Sequence, residues 1–179
     1  MPDRRTGAQR SPAVQAAPLT CPELLEALYR GDDGLVTELL AAEPDLDVFE
    51  AAALGRAERL QELLSEDDSS ANAFGDDGFQ PLGLACFFGH LEAARLLLEH
   101  GADPNTLARN ERIQTNALHA AVAAENKPAA TRLALARLLL DYGADPNARQ
   151  GGGSRPIDAA RQNGDDQLQR LLTDRGAED

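Results

Sequence analysis

The chain copies itself at a nearly regular interval, and that constrains its fold more than any other feature of the sequence. Ala94-Arg-Leu-Leu-Leu-Glu-His-Gly-Ala-Asp-Pro-Asn105 returns as Ala136-Arg-Leu-Leu-Leu-Asp-Tyr-Gly-Ala-Asp-Pro-Asn147. Pro81-Leu-Gly-Leu-Ala85 returns more loosely as Asn116-Ala-Leu-His-Ala-Ala121 and Arg155-Pro-Ile-Asp-Ala-Ala160. A shorter copy, Asp47-Val-Phe-Glu-Ala-Ala-Ala-Leu-Gly55, leads into Leu60, Leu63 and Leu64, and a reduced one opens the array with Leu24, Ala27, Gly31, Leu35, Leu39 and Leu40. Setting Leu24, Val48, Leu82, Leu118 and Ile157 in register gives spacings of 24, 34, 36 and 39 residues. A unit of that length cannot bury its own apolar face, so copies must stack side by side.

Each part of the unit has a mechanical role. Pro81 suits the first position of a helix, where its missing N–H had no partner to lose. Leu82 and Ala85 then share one helical face. Ala52, Ala85, Ala121 and Ala160 let neighbouring helices approach closely. Gly55, Gly89 and Gly164 close a first helix, Leu96-Leu97-Leu98 builds a second, and Gly101 ends it. Asp103-Pro104-Asn105 turns the chain outward.

The Pro-Leu-x-x-Ala opening, Gly-His break, Leu-Leu-Leu run and Gly-Ala-Asp-Pro-Asn ending, in that order, resemble the ankyrin-repeat family over nearly everything after residue 21. Phe87-Phe-Gly-His90 and Gly101-Ala-Asp-Pro-Asn105 look like its bacterial branch. The resemblance implies an all-α solenoid of helix-turn-helix units with short β-hairpin finger loops. Residues 20–45 would form an N-terminal cap, 46–77, 78–113 and 114–152 three repeats, and 153–175 a C-terminal cap. Residues 1–19, rich in Pro, Gly, Gln, Arg and Ser without periodicity, are expected to be a disordered tail.

Two insertions break the period. The connection from Gly101 to Leu118 is longer than that from Gly143 to Ile157 and carries Arg109, Glu111 and Arg112, giving a longer finger at 106–115. Six extra residues within 125–133 lengthen the step between two helices or the start of the second, with Pro128 a natural first-turn residue.

Composition narrows the functional classes. Net charge is −13, and the tail's Arg4, Arg5 and Arg10 face only Asp3, leaving about −15 on the rest. Such a body repels phosphate backbones and anionic lipid, so neither nucleic acid nor membrane is an expected partner. Cys21 and Cys86 lack CxxC neighbours, and no apolar leader is present, pointing to a reducing cytoplasm. Arg outnumbers Lys 16 to 1, a bias of GC-rich, bacterial genomes. His90, His100 and His119 lack metal-ligand spacing, and the resemblance implies that His119 hydrogen-bonds between repeats. No phosphate loop, nucleophile elbow or paired catalytic carboxylate appears, so no cofactor, metal or enzymatic activity is expected.

In such a stack, finger tips and the ends of the first helices form one concave face. The positions reading onto it include Tyr29 and Arg30, Leu54, Phe74, Asp76, Asp77, Phe79, Phe87 and Phe88, with Arg109, Arg112 and Arg149 on later fingers. Four of the five phenylalanines fall on one unit, and an apolar cluster of that kind marks an interaction surface. Phe74 and Phe88 are the expected anchors, with the charged residues as a specificity-setting rim. The sequence thus reads as a monomeric adaptor or regulatory subunit that recognises a protein partner. The alternative is self-association through the same aromatic patch.

Overall fold

The structure is a computed structural model, and residues 22–178 are described; the tail at 1–19 and Cys21 lie outside that range. Ten α-helices follow in five pairs: α1 Pro22–Arg30 and α2 Asp33–Ala41, α3 Val48–Ala53 and α4 Ala57–Glu66, α5 Pro81–Phe88 and α6 Leu91–Glu99, α7 Ala117–Ala123 and α8 Ala129–Asp141, α9 Pro156–Gln162 and α10 Asp166–Asp174. One 3-10 turn, Asp68–Asn72, follows α4. The first helices α1, α3, α5, α7 and α9 pack in chain order as one layer, and α4, α6, α8 and α10 as a second.

The register residues are the core. Leu24, Leu82, Leu118 and Ile157 are at most 2% exposed, and Val48 is also buried. The alanines Ala52, Ala85, Ala121 and Ala160 are fully buried where first helices meet, so their small side chains set the stacking distance. Caps fix where each helix starts. Asp47 accepts from Phe49 and Glu50 N–H while the buried Glu50 carboxylate accepts from Asp47 N–H at 3.0 Å, a reciprocal box.

The asparagine that ends each copied motif joins one unit to the next. Asn105 Nδ2 donates to the Gly143 carbonyl at 2.9 Å, and its Oδ1 accepts from Asp145 N–H at 2.8 Å. Asn72 makes the same pair of bonds to Gly101 and Asp103, and Asn147 to Gly176 and Glu178. One amide therefore satisfies a carbonyl at a helix end and a backbone donor of the following turn, three times along the stack.

Two glycines are required by close approach. Gly55 has φ +65°, and a Cβ there would fall 2.4 Å from His90 Nδ1. Gly78 has φ +81°, and its Cβ would meet the Asn110 backbone nitrogen at 2.6 Å. At Gly78 successive fingers touch, and Arg109 N–H donates to the Gly78 carbonyl at 2.8 Å.

The expected finger hairpins take a reduced form. Isolated bonds close them (Gly75 N–H to Phe79 O, Ala108 N–H to Thr115 O, Gln150 N–H to Ser154 O), and no β-strand forms among the described residues. Asx turns, such as Asn110 Oδ1 accepting from Arg112 and Ile113 N–H, fold the tips tightly and leave too few residues for a ladder.

The insertion at 125–133 does both things the sequence allowed. The link 124–128 is longer, and α8 has 13 residues against 9 in α6. Pro128 stands just before the helix as its N-cap rather than inside its first turn. The insertion has a packing role in both directions. Lys127 lies against Gly89 of the preceding unit, and Arg132 pairs with Asp165 of the last unit at 2.8 Å, their side chains 11% and 8% exposed. The N-terminal pair is the loosest, since α2 has no buried residue and, among the described residues, the pair's buried side chains are Leu24 and Ala27 of α1.

Candidate functional site

Fingers and first helices enclose a groove of about 510 Å³ that runs from Tyr29 on α1 to Gln150 on the last finger. Its wall is largely apolar: Phe79, Leu82, Leu84, Phe87, Ala108, Ile113, Ala120 and Ala123. Among the described residues, the charged carboxylates lining it are Asp77 and Asp103, and no Lys or Arg side chain does so.

An aromatic cluster forms the near end. Tyr29 lies between Phe79, Phe87 and Phe88, with ring centroids 6.3, 6.3 and 5.7 Å away, and Phe87 meets Phe88 edge-on at 5.1 Å. The Tyr29 hydroxyl donates to Asp77 Oδ2 at 2.9 Å. Burial, then the Asp77 carboxylate, push its phenol well above the usual range, so it stays a donor. Phe87 is 42% exposed and lines the groove, whereas Phe79 and Phe88 are half-buried.

The other sequence-derived positions divide. Phe74 does not line the groove; the Arg109 guanidinium covers its face at 3.8 Å from the ring centroid. Phe88 sits behind Tyr29, with Lys127 Nζ 6.0 Å over its ring. Asp76 and Arg112 are exposed at finger tips, and Arg30 pairs along α1 with Glu26. Leu54 is the half-buried C-cap of α3. Arg149 bends back to the Gly153 carbonyl of its own finger at 2.8 Å. The structure thus brings Tyr29, Asp77, Phe79, Phe87 and Phe88 together, all but Phe88 lining the groove, and the remaining positions do not line it.

Gly83, which the sequence reading passed over, leaves space in the groove wall, as the contrast with His119 of the next unit makes plain. His119 is 3% exposed, and its Nε2–H donates to the Ser154 carbonyl at 3.0 Å while Nδ1 lies 2.8 Å from Asn116 Oδ1. In the previous unit the register position of His119 is Gly83, and that of Ser154 is Thr115. A Cβ on Gly83 would meet nothing within 4 Å, and both residues line the groove. Where one unit bridges to its neighbour, the other leaves space. The signal was available in the aligned copies, where Gly83 stands in the place of His119. Ile113, 54% exposed on the longer finger, was missed as well.

Burial holds His119 and His90 below the usual imidazole range, against the raising effect of the hydrogen bonds to Ser154 and Ala53. Both take up protons less readily in the fold than in the unfolded chain, whose imidazoles bind protons as pH drops through 6.5. Stability is therefore complete above that value and falls as pH moves from 6.5 toward the depressed folded values, by at most about 1.4 kcal/mol per pH unit per histidine. Urea unfolding at successive pH values checks this; flat stability from about pH 7 to about pH 5.5 would contradict it.

Cys86 is fully buried, and burial pushes its thiol up, so it is packing material. No group of three His, Cys, Asp or Glu side chains suited to a metal occurs among the described residues. No helix among them is long and apolar enough to cross a membrane.

Comparison with known proteins agrees with this architecture. The family model described as ankyrin repeats (3 copies) matches residues 24–108 and 48–150. The chain is 40% identical over 80 residues to the human DNA-binding protein RFXANK, covering 45% of this chain and 30% of that protein. It is 39% identical over 120 residues to human neurogenic locus notch homolog protein 4, covering 62% of this chain and 6% of that one. Bovine ankyrin repeat domain-containing protein 49 is 38% identical over 61 residues, covering 34% and 26%. The chain spans less than a third of each of these relatives.

Proposed function

Because the chain belongs to the ankyrin-repeat family, whose stacked units are protein-interaction modules, we propose that it is a non-catalytic adaptor or regulatory subunit holding a protein partner in the groove between its fingers and first helices. The observation that carries this reading is the apolar groove with the half-exposed Phe87 at its end, since concave apolar surface left open to solvent marks a binding site. Anchoring passes from Phe74 and Phe88 to Phe87, Phe79 and Tyr29, with Asp77 holding the Tyr29 ring in place. The relative named for DNA binding does not extend that role to this chain, whose charge of −13 disfavours phosphate. The cysteine pattern supports a cytoplasmic setting and the Arg-for-Lys bias a bacterial source, while these relatives are animal proteins.

Gly83→Phe tests the site with little risk to the fold. It fills the groove from a helical position with free space at Cβ, and removing a helical glycine favours α5 by up to about 1 kcal/mol. A partner captured by the wild-type chain is expected to be lost with Gly83→Phe. Phe87→Ala is expected to weaken it about tenfold to a hundredfold. Undiminished capture by a folded Gly83→Phe variant would overturn the reading. Light scattering distinguishes self-association, which predicts a concentration-dependent dimer.

A further inference from the structure

Resting on that reading of the groove, we propose that its occupant is a peptide segment carrying an arginine or lysine next to an apolar side chain, with the cation received by Asp77 and Asp103.

Both carboxylates are fixed in place by short hydrogen bonds. Asp77 Oδ2 accepts from Tyr29 Oη–H at 2.9 Å, and Oδ1 accepts from Phe79 N–H at 3.0 Å. Asp103 Oδ1 accepts from Asn105 N–H at 2.9 Å, and Oδ2 accepts from the Thr106 hydroxyl at 3.0 Å. These donors are neutral, and no Arg or Lys forms an ion pair with either carboxylate among the described residues. The acidic side chains Asp45, Asp141, Asp158 and Asp165, by contrast, each have an arginine partner. Nearby cations are turned to other tasks, Arg109 on the Phe74 ring and Lys127 over Phe88.

The result is a groove with two unmatched negative charges on an apolar wall, inside a chain of net charge −13. Apolar walls concentrate the field of such charges and raise the local concentration of cations. A carboxylate carries two oxygens with room for more than one donor each, so the bonds to Tyr29 and Thr106 leave acceptor capacity for an ammonium or guanidinium. Apolar contact with Phe87, Ile113 and Ala123 supplies affinity, and the carboxylates select the cation and fix its register. An acidic segment is repelled on the same grounds.

The test uses the full-length chain and a phage-displayed library of random linear peptides. Selected sequences are expected to pair Arg or Lys with Leu, Phe, Ile or Met. A synthetic copy of one of them should bind more weakly as salt rises, and Asp77→Asn with Asp103→Asn should weaken it at least about tenfold. Asp166→Asn with Asp174→Asn, two exposed acids at the two ends of α10, serves as the charge-matched control and is expected to change nothing. Thermal unfolding confirms that the variants remain folded. Selection of peptides without a cation overturns this proposal, as does undiminished binding by the double variant. If Gly83→Phe still abolishes that binding, the groove remains the binding face and only its charge preference falls. If Gly83→Phe binds as well as wild type, both readings fall. A dimer of the unliganded chain that Gly83→Phe dissociates would assign the groove to a second copy instead.

Discussion

Asp165→Ala is expected to be among the most damaging single changes in the chain, lowering unfolding free energy by about 3–5 kcal/mol. Asp165 does two things at once. Its Oδ1 caps α10 by accepting from Leu168 N–H at 3.1 Å, and its Oδ2 accepts from Arg132 at 2.8 Å. Loss of a cap alone costs about 1 kcal/mol. The larger part comes from the Arg132 guanidinium, 11% exposed, which would be left charged and unmatched; its Nε already has no hydrogen-bond partner. Replacing both partners, Arg132→Met with Asp165→Asn, is expected to recover much of the loss, because no buried cation remains and Asn still caps. Urea unfolding followed by circular dichroism measures both, and a loss below about 1 kcal/mol for the single variant would mean that the pair is hydrated rather than buried.

Leu118→Ala should produce a loss of comparable size, about 2–5 kcal/mol. Leu118 is fully buried in α7, which packs against α5, α8 and α9 at once. A cavity there weakens the unit itself and its coupling to both neighbours, so the units on either side should unfold less cooperatively and the urea transition should broaden. Leu35→Ala is the contrasting control. It removes the same kind of side chain from α2, where nothing is buried, and should cost about 1 kcal/mol or less. Equal effects at the two positions would show that burial is not what distinguishes them.

The stack itself was legible because its signals are local and repeated. A buried aliphatic residue and a small alanine recur at the same place in successive copies, a terminating glycine in most of them, and the fold uses them as read. Finger strands were not legible, since asparagine side chains such as Asn110 spend the tip residues on turns instead of ladder pairs. The length of the insertion at 125–133 was legible, but its packing role was not, because that depends on a residue 33 positions later, where Arg132 finds Asp165. In the candidate site, the aromatic cluster around Tyr29 was visible as side-chain type and register. The position of Phe74 was not, because Arg109 reaches it from the next finger. Gly83 escaped notice for a different reason: its effect is space, and a pattern search rewards matches over omissions.

Tyr29, which closes the near end of the groove, belongs to the helix pair whose second member buries nothing. That pair has the fewest apolar anchors, so its opening free energy is the smallest in the array and its amides should exchange first. The near wall of the groove is accordingly its least anchored one. A ligand that closes against Tyr29 must first still that terminal unit, trading some affinity for adaptability, and in return it becomes the clasp that holds the first two helices on the stack.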